Sequence, residues 1–224
     1  MRSLRGILLD LDGTIADSID FFFGLTCDVL AQAHVSPPAR ADVLAAIADG
    51  ATPPLRFLPP DFPDPEKFLE EVYHRRWPEW IERYGTEIRP LPGACETVEA
   101  LHHRGLLLAL ITSSSGPLPF LDRWGIRKYF AAIVARDDVA EIKPHPEPLV
   151  SGLARLRLSP PEALNIGDSP LDVRAGRAVG LRTIGVLTGA GTAEQLRAEG
   201  AVAVLPSLAH LPDFLDGRLS DRND

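Results

Sequence analysis

Short, mostly apolar runs separated by helical segments constrain the fold of this chain more than any other feature. Residues 6–9, 106–111, 132–134, 163–166, 183–186 and 201–204 read as strands. Residues 95–104, 117–124, 146–156, 170–179 and 193–198 read as helices between them. Pro117, Pro146 and Pro170 stand where a first helical turn lacks a use for its N–H, and Gly105, Gly125, Gly180 and Gly200 stand where a left-handed C-cap is wanted. Strand and helix in alternation predict an α/β fold: a Rossmann-like, three-layer core whose parallel sheet is covered on both faces.

The alternation fails between about Ser18 and Gly85. There the chain reads as a helix over 19–34, a helix over 39–48, a proline-rich connection and a helix over 65–84. Pro53, Pro54, Pro59, Pro60, Pro63 and Pro65 are expected to stop any helix through the connection. An all-helical insert directly after the first strand reads as a cap domain. The expected organisation is a core of residues 1–16 and 88–215, a cap of 17–87 and a charged, frayed tail of 216–224.

The bulk properties exclude several classes. A net charge of −8 with no block of Lys or Arg gives nucleic-acid binding little electrostatic support. The apolar stretch at Phe21–Phe23 is broken by Asp20 and Asp28, so it cannot span a membrane. A faint signal-peptide pattern at the N-terminus is cut short by Asp10. Cys27 and Cys95 are too few and too far apart for a disulfide framework or a zinc site. A soluble cytoplasmic protein with reduced thiols is expected, as a monomer or homodimer. Only three lysines, Lys67, Lys128 and Lys143, stand against 20 arginines, which draws attention to any position that keeps a compact ammonium.

Ligands of open α/β sheets bind outside the carboxyl ends of the strands. Asp10-Leu11-Asp12-Gly13-Thr14 follows the first strand, with two acids at i and i+2 that an extended chain points the same way. Side by side without a cation between them, they repel unless a metal or a shared proton intervenes. Thr112-Ser113-Ser114-Ser115-Gly116 follows the second strand, and Gly167-Asp168-Ser169-Pro170-Leu171-Asp172 the fourth. Lys143-Pro144-His145-Pro146 opens a helix ahead of that fourth strand.

This set resembles the haloacid dehalogenase-like hydrolase superfamily in all four of its motifs, and most of all its phosphoglycolate phosphatase and phosphomutase-like branch. The likeness covers nearly the whole chain, and the helical insert is similar to the family's first-position cap. It implies that Asp10 attacks phosphorus to form an aspartyl-phosphate and that Asp12 is the general acid and base. It implies Mg²⁺ held by Asp10, the backbone carbonyl of Asp12 and Asp168. Thr112, Ser113 and Lys143 would bind the phosphoryl oxygens, and Asp172 would hold Lys143 or a metal-bound water. The implied substrate is a small phosphorylated metabolite of the phosphoglycolate or sugar-phosphate class.

Asp12 argues against a dehalogenase, because no leaving oxygen needs a proton there. A Schiff-base enzyme would need a cap lysine, and Lys67 lies only at a helix start. A sugar phosphomutase, an inorganic pyrophosphatase and a non-catalytic binding module remain as alternatives. Residues 48–54 occupy the place of the family's specificity loop and depart from its glycine-rich pattern, as Ile142 departs from the small residue before the lysine. Asp137 and Asp138 read as a solvated turn and His145 as a loop-shaping residue. His102 and His103 read as helix-surface residues, Trp77 and Trp80 as packing, and Arg56, Arg75 and Arg76 as a solvated face.

Overall fold

The structure, a computed structural model, describes residues 4–83, 86–116 and 118–217. In chain order its elements are β1 (Gly6–Leu9), β2 (Ala16–Asp17), α1 (Ile19–Gln32), α2 (Arg40–Ala48), α3 (Pro53–Phe57), α4 (Pro65–Arg83), β3 (Arg89–Pro90), α5 (Ala94–His103) and β4 (Leu107–Ile111). Then follow α6 (Phe120–Arg123), β5 (Phe130–Val134), α7 (Glu147–Leu156), β6 (Ala163–Gly167), α8 (Pro170–Val179), β7 (Arg182–Val186), α9 (Ala193–Glu199), β8 (Ala203–Leu205) and α10 (Leu211–Leu215). The chain divides into two compact units: one of residues up to Asp17 and from Pro90 onward, the other Ser18–Arg89.

The first unit holds a six-stranded parallel sheet in the order β5-β4-β1-β6-β7-β8. Every residue of β1 is buried, so both faces of the sheet are covered, as a parallel sheet requires. Leu8, Ala109, Ile111 and Val134 pack with Leu149, Leu153 and Leu156 of α7 in one continuous core. No helix of the described residues is long and apolar enough to cross a membrane.

Three elements differ from the sequence reading for local reasons. The strand expected at 132–134 begins at Phe130, because Leu108 pairs with Phe130 and Ala109 with Ala132, leaving Ala131 as an extra residue. The strand expected at 201–204 is shifted to Ala203–Leu205. Gly200, at φ +104°, ends α9, and the Ala201 N–H turns back to the Leu196 carbonyl at 3.0 Å, so the chain is still leaving the helix there. The helix expected at 117–124 is reduced to Phe120–Arg123, since Leu118 takes φ +48°; Pro117 itself lies outside the described residues.

The second unit is helical. Its proline-rich connection carries a helix the sequence reading excluded: Pro53 and Pro54 occupy the first turn of α3, where a missing N–H costs nothing, and the break falls later, at Pro59-Pro60. Trp80 is fully buried. Tyr73 stacks on Trp77 and meets Trp80 edge-on, and Phe21 meets Trp77 edge-on. Arg76 is a correction to the expected solvated face: half-buried, it lies over the Trp80 ring, 5.8 Å from its centroid, while Arg56 and Arg75 are exposed.

At the C-terminus, Arg104 makes two bonds, at 3.1 and 3.0 Å, to Asp216, the first residue of the expected tail. Residues 218–224 lie outside the described residues.

Candidate active site

The sheet order sets β4, β1 and β6 side by side, so their carboxyl ends bring Thr112, Asp10 and Asp168 to one edge. The ladder runs one residue beyond the strands: Asp10 N–H donates to Ile166 O at 2.9 Å and Thr112 N–H to Val134 O at 2.9 Å. Neighbouring strands lie about 4.8 Å apart, which puts side chains from the three strand ends within reach of one centre.

Lys143 is the hub of that centre. Its ammonium, buried with the acids, donates to Asp10 Oδ1 at 2.5 Å, to Asp172 Oδ1 at 2.6 Å and to Ile111 O at 3.4 Å. Those contacts occupy all three ammonium protons, the last one weakly. Asp172 is held from its other side, where Oδ2 accepts from Ser169 Oγ at 2.6 Å and from Ser169 N–H at 3.1 Å. This is the capping box of α8, so one residue starts the helix and orients the lysine. Pro170, expected at a first helical turn, stands in the first turn of α8, and Asp172, expected to hold Lys143 or a metal-bound water, is bonded to Lys143.

Asp12 is half-buried and has different partners. Its Oδ2 accepts from Ser114 Oγ at 2.8 Å and from Thr112 Oγ1 at 3.3 Å, and the Ser114 N–H returns to Thr112 Oγ1 at 3.0 Å. The two acids of the first motif therefore serve separate networks, Asp10 with the lysine and Asp12 with the hydroxyls. Ser113 is exposed on the same loop. Ser114 was missed by sequence reasoning; its only signal was a hydroxyl two residues beyond Thr112. Asp137, expected as a solvated turn, accepts from the Gly116 N–H at 3.0 Å and so pins the far end of this loop.

The carboxylates of Asp10, Asp168 and Asp172 are all buried and approach within 4.8 Å of one another. Burial pushes the Asp10 carboxyl well above the usual carboxylate range; Lys143 pulls it back, and the charges of Asp172, Asp168 and Asp12 add to the rise. Asp168 is pushed up to about 7 by burial and by Asp172, against the pull of the Ala190 N–H and Lys143. For Lys143, burial opposes the charge, but Asp10 and Asp172 outweigh it and hold its pKa above the ordinary lysine range. All three directions express one fact: a single ammonium does not neutralise three buried carboxylates. Such a site fits a hard divalent cation with oxygen ligands. Asp172 has both oxygens committed, whereas Asp10 Oδ2 is uncommitted among the described residues and Asp168 Oδ1 has only a 3.4 Å contact from Thr14.

A haloacid dehalogenase-like hydrolase family model matches residues 7–186, the span that contains every group just described. The chain belongs to this family. A phosphoglycolate phosphatase of Salmonella paratyphi A is 32% identical over 213 residues, covering 84% of this chain and 83% of the relative. Among solved structures, a hydrolase from Pseudomonas syringae has a TM-score of 0.76 at 26% identity, covering 96% of this chain and 100% of its own. CbbY from Rhodobacter sphaeroides, solved in complex with phosphate, has a TM-score of 0.72 at 27% identity, covering 93% of this chain and 96% of its own. Family membership makes the chain a hydrolase and agrees with the parallel α/β core read from the sequence.

The remaining sequence candidates fall outside this cluster. His145 Nδ1 accepts the Glu147 N–H at 3.3 Å and shapes the turn into α7. His102 and His103 pack near Tyr129 on the surface of α5. Cys27 and Cys95 are free thiols.

Proposed function

We propose that this hydrolase is a Mg²⁺-dependent phosphatase of small phosphomonoesters that works through an aspartyl-phosphate on Asp10. The observation that carries the reading is the buried Lys143 bridging Asp10 and Asp172 at 2.5 and 2.6 Å inside the three-acid cluster. The phosphoglycolate phosphatase relatives, 30–32% identical, support the ester class. Asp10, Asp168 and the backbone carbonyl of Asp12 would hold the cation. Bound there, Mg²⁺ screens the repulsion between the Asp10 carboxylate and a phosphate dianion.

A carboxylate oxygen of Asp10 attacks phosphorus, the phosphorus–oxygen bond to the alcohol breaks, and Asp12 gives its proton to the leaving oxygen. Asp12 then takes a proton from a water that attacks the aspartyl-phosphate; the bond to Asp10 breaks and inorganic phosphate leaves. Lys143 keeps the Asp10 carboxylate aimed and compensates its charge. For a phosphoryl oxygen to reach Lys143, the long contact to the Ile111 carbonyl is the one to be exchanged. Thr112 and Ser113 supply a hydroxyl and a backbone N–H to the same oxygens.

The test is phosphate release from phosphoglycolate, sugar phosphates, nucleotides and pyrophosphate, with Mg²⁺ or EDTA, beside Asp10→Asn. Release is expected only with Mg²⁺, and Asp10→Asn is expected to lower kcat by about 10⁴-fold or more. Turnover that persists in EDTA or in the variant overturns the mechanism. Folded, Mg²⁺-binding protein that releases nothing points to phosphoryl transfer between sugars or to a binding role.

A further inference from the structure

The loop at 188–191, which leaves β7 and enters α9, belongs to none of the four motifs, yet it touches two of them. Thr188 Oγ1 donates to the Gly13 carbonyl at 2.6 Å, in the turn that follows Asp10 and Asp12. The Ala190 N–H donates to Asp168 Oδ2 at 2.8 Å, and the Gly191 N–H donates to the Asp168 backbone carbonyl at 2.9 Å. The loop is anchored at both ends. Leu187 N–H bonds Leu205 O at 3.1 Å, and Thr192 closes a capping box with Gln195 at the start of α9.

The approach is so close that only glycine fits at 189. A Cβ there would lie 1.9 Å from Asp168 Oδ2 and 2.3 Å from its Cγ. A Cβ on Gly13 would meet the same Asp168 oxygen at 2.7 Å and Gly189 Cα at 2.8 Å. The turn after β1, the acid after β6 and the loop after β7 thus form one packed unit without space for a side chain.

We propose that the 188–191 loop is the positioning element of the cation site. By occupying Asp168 Oδ2 it turns Oδ1 toward the cation, and by holding the Gly13 carbonyl it keeps the Asp10–Asp12 turn in register with Asp168. This rests on the reading of Asp10 and Asp168 as Mg²⁺ ligands. The physical logic is that a carboxylate free to rotate must be ordered when the ion binds, whereas one already fixed by an N–H is not.

The test is Mg²⁺ affinity measured by calorimetry on the full chain without substrate, for the wild type, Thr188→Val, Thr188→Ser and Gly189→Ala. Circular dichroism melts in EDTA establish that each variant is folded. Thr188→Val is expected to weaken Mg²⁺ binding by about 10- to 100-fold, Gly189→Ala at least as much, and Thr188→Ser is expected to stay near the wild type. If Gly189→Ala does not fold, the Val and Ser pair decides, because each leaves the backbone unchanged. Equal affinity in wild type and Thr188→Val overturns this inference and leaves the proposed phosphatase reading standing. A wild type that binds no Mg²⁺ overturns both.

Discussion

The two units of this chain differ in how far they bond their buried polar groups. In the sheet-containing unit, Asp10, Lys143, Asn165, Asp168, Ser169, Asp172 and Thr183 are all buried, and each is bonded to a named partner within 3.4 Å. In the helical unit, Thr26 Oγ1 donates to the Phe22 carbonyl at 2.8 Å, but Ser18 Oγ, Arg76 Nε and Trp80 Nε1 are buried without a hydrogen-bond partner among the described residues; in the sheet-containing unit the one such atom among the described residues is Arg197 Nε, far from the acid cluster in sequence. The helical unit relies on aromatic packing among Phe21, Tyr73, Trp77 and Trp80. Dispersion and apolar burial carry little directional information, whereas a short hydrogen bond fixes an atom closely. The comparison teaches that positional accuracy lies where the proposed chemistry does, and that the helical unit is built for burial.

Substitutions at three positions test that contrast, beginning with the largest effect. Trp80→Ala is expected to cost about 3–5 kcal/mol in urea unfolding, since it empties a fully buried site. Trp80→Phe is expected to cost far less, because it keeps most of the packing and removes an unpaired N–H. An equal loss for both would mean that the indole N–H does have a partner and would erase the contrast.

Ser114→Ala probes the other side. It deletes the 2.8 Å bond to Asp12 Oδ2 and is expected to lower kcat about tenfold with little change in KM or in unfolding free energy. A variant with unaltered kcat would show that the hydroxyl does not aim Asp12.

Glu162→Gln gives the smallest effect and tests a polar contact at the other end of the sheet. Bonds from Ser159 Oγ, from Arg5 and from the Ser159 N–H lower the Glu162 pKa to about 2, from an ordinary 4.5. A depressed carboxyl contributes fully above its unfolded pKa and loses that contribution as pH falls through the folded one. The Tm difference between wild type and Glu162→Gln is therefore expected to be present at neutral pH and to shrink as pH falls from 4.5 toward 2. Thermal melts across that window check it; a difference constant with pH would place the effect in packing.

Much of the architecture was legible because it depends on local rules. β1 lies at Gly6–Leu9 and α8 at Pro170–Val179, as an apolar run and a Ser-Pro start ending at glycine imply. Lys143 stood out as one of three lysines, and the structure puts it between two acids. What escaped was non-local. The extra residue Ala131 depends on which strand β5 meets, and the left-handed Leu118 carries no signature, because leucine rarely adopts that conformation.

By itself the sequence determined the strand–helix alternation, the helical insert and the identity of the acids and lysine at the strand ends, since periodicity, proline and glycine act within a few residues. Only the tertiary structure decided which oxygen meets which donor. Asp10 pairs with a lysine 133 positions away, and Asp168 takes a backbone N–H 22 positions away from a loop of small residues. A backbone N–H is common to every residue but proline, so nothing in the one-dimensional pattern marks Ala190; its place is set by the close packing of three strand ends.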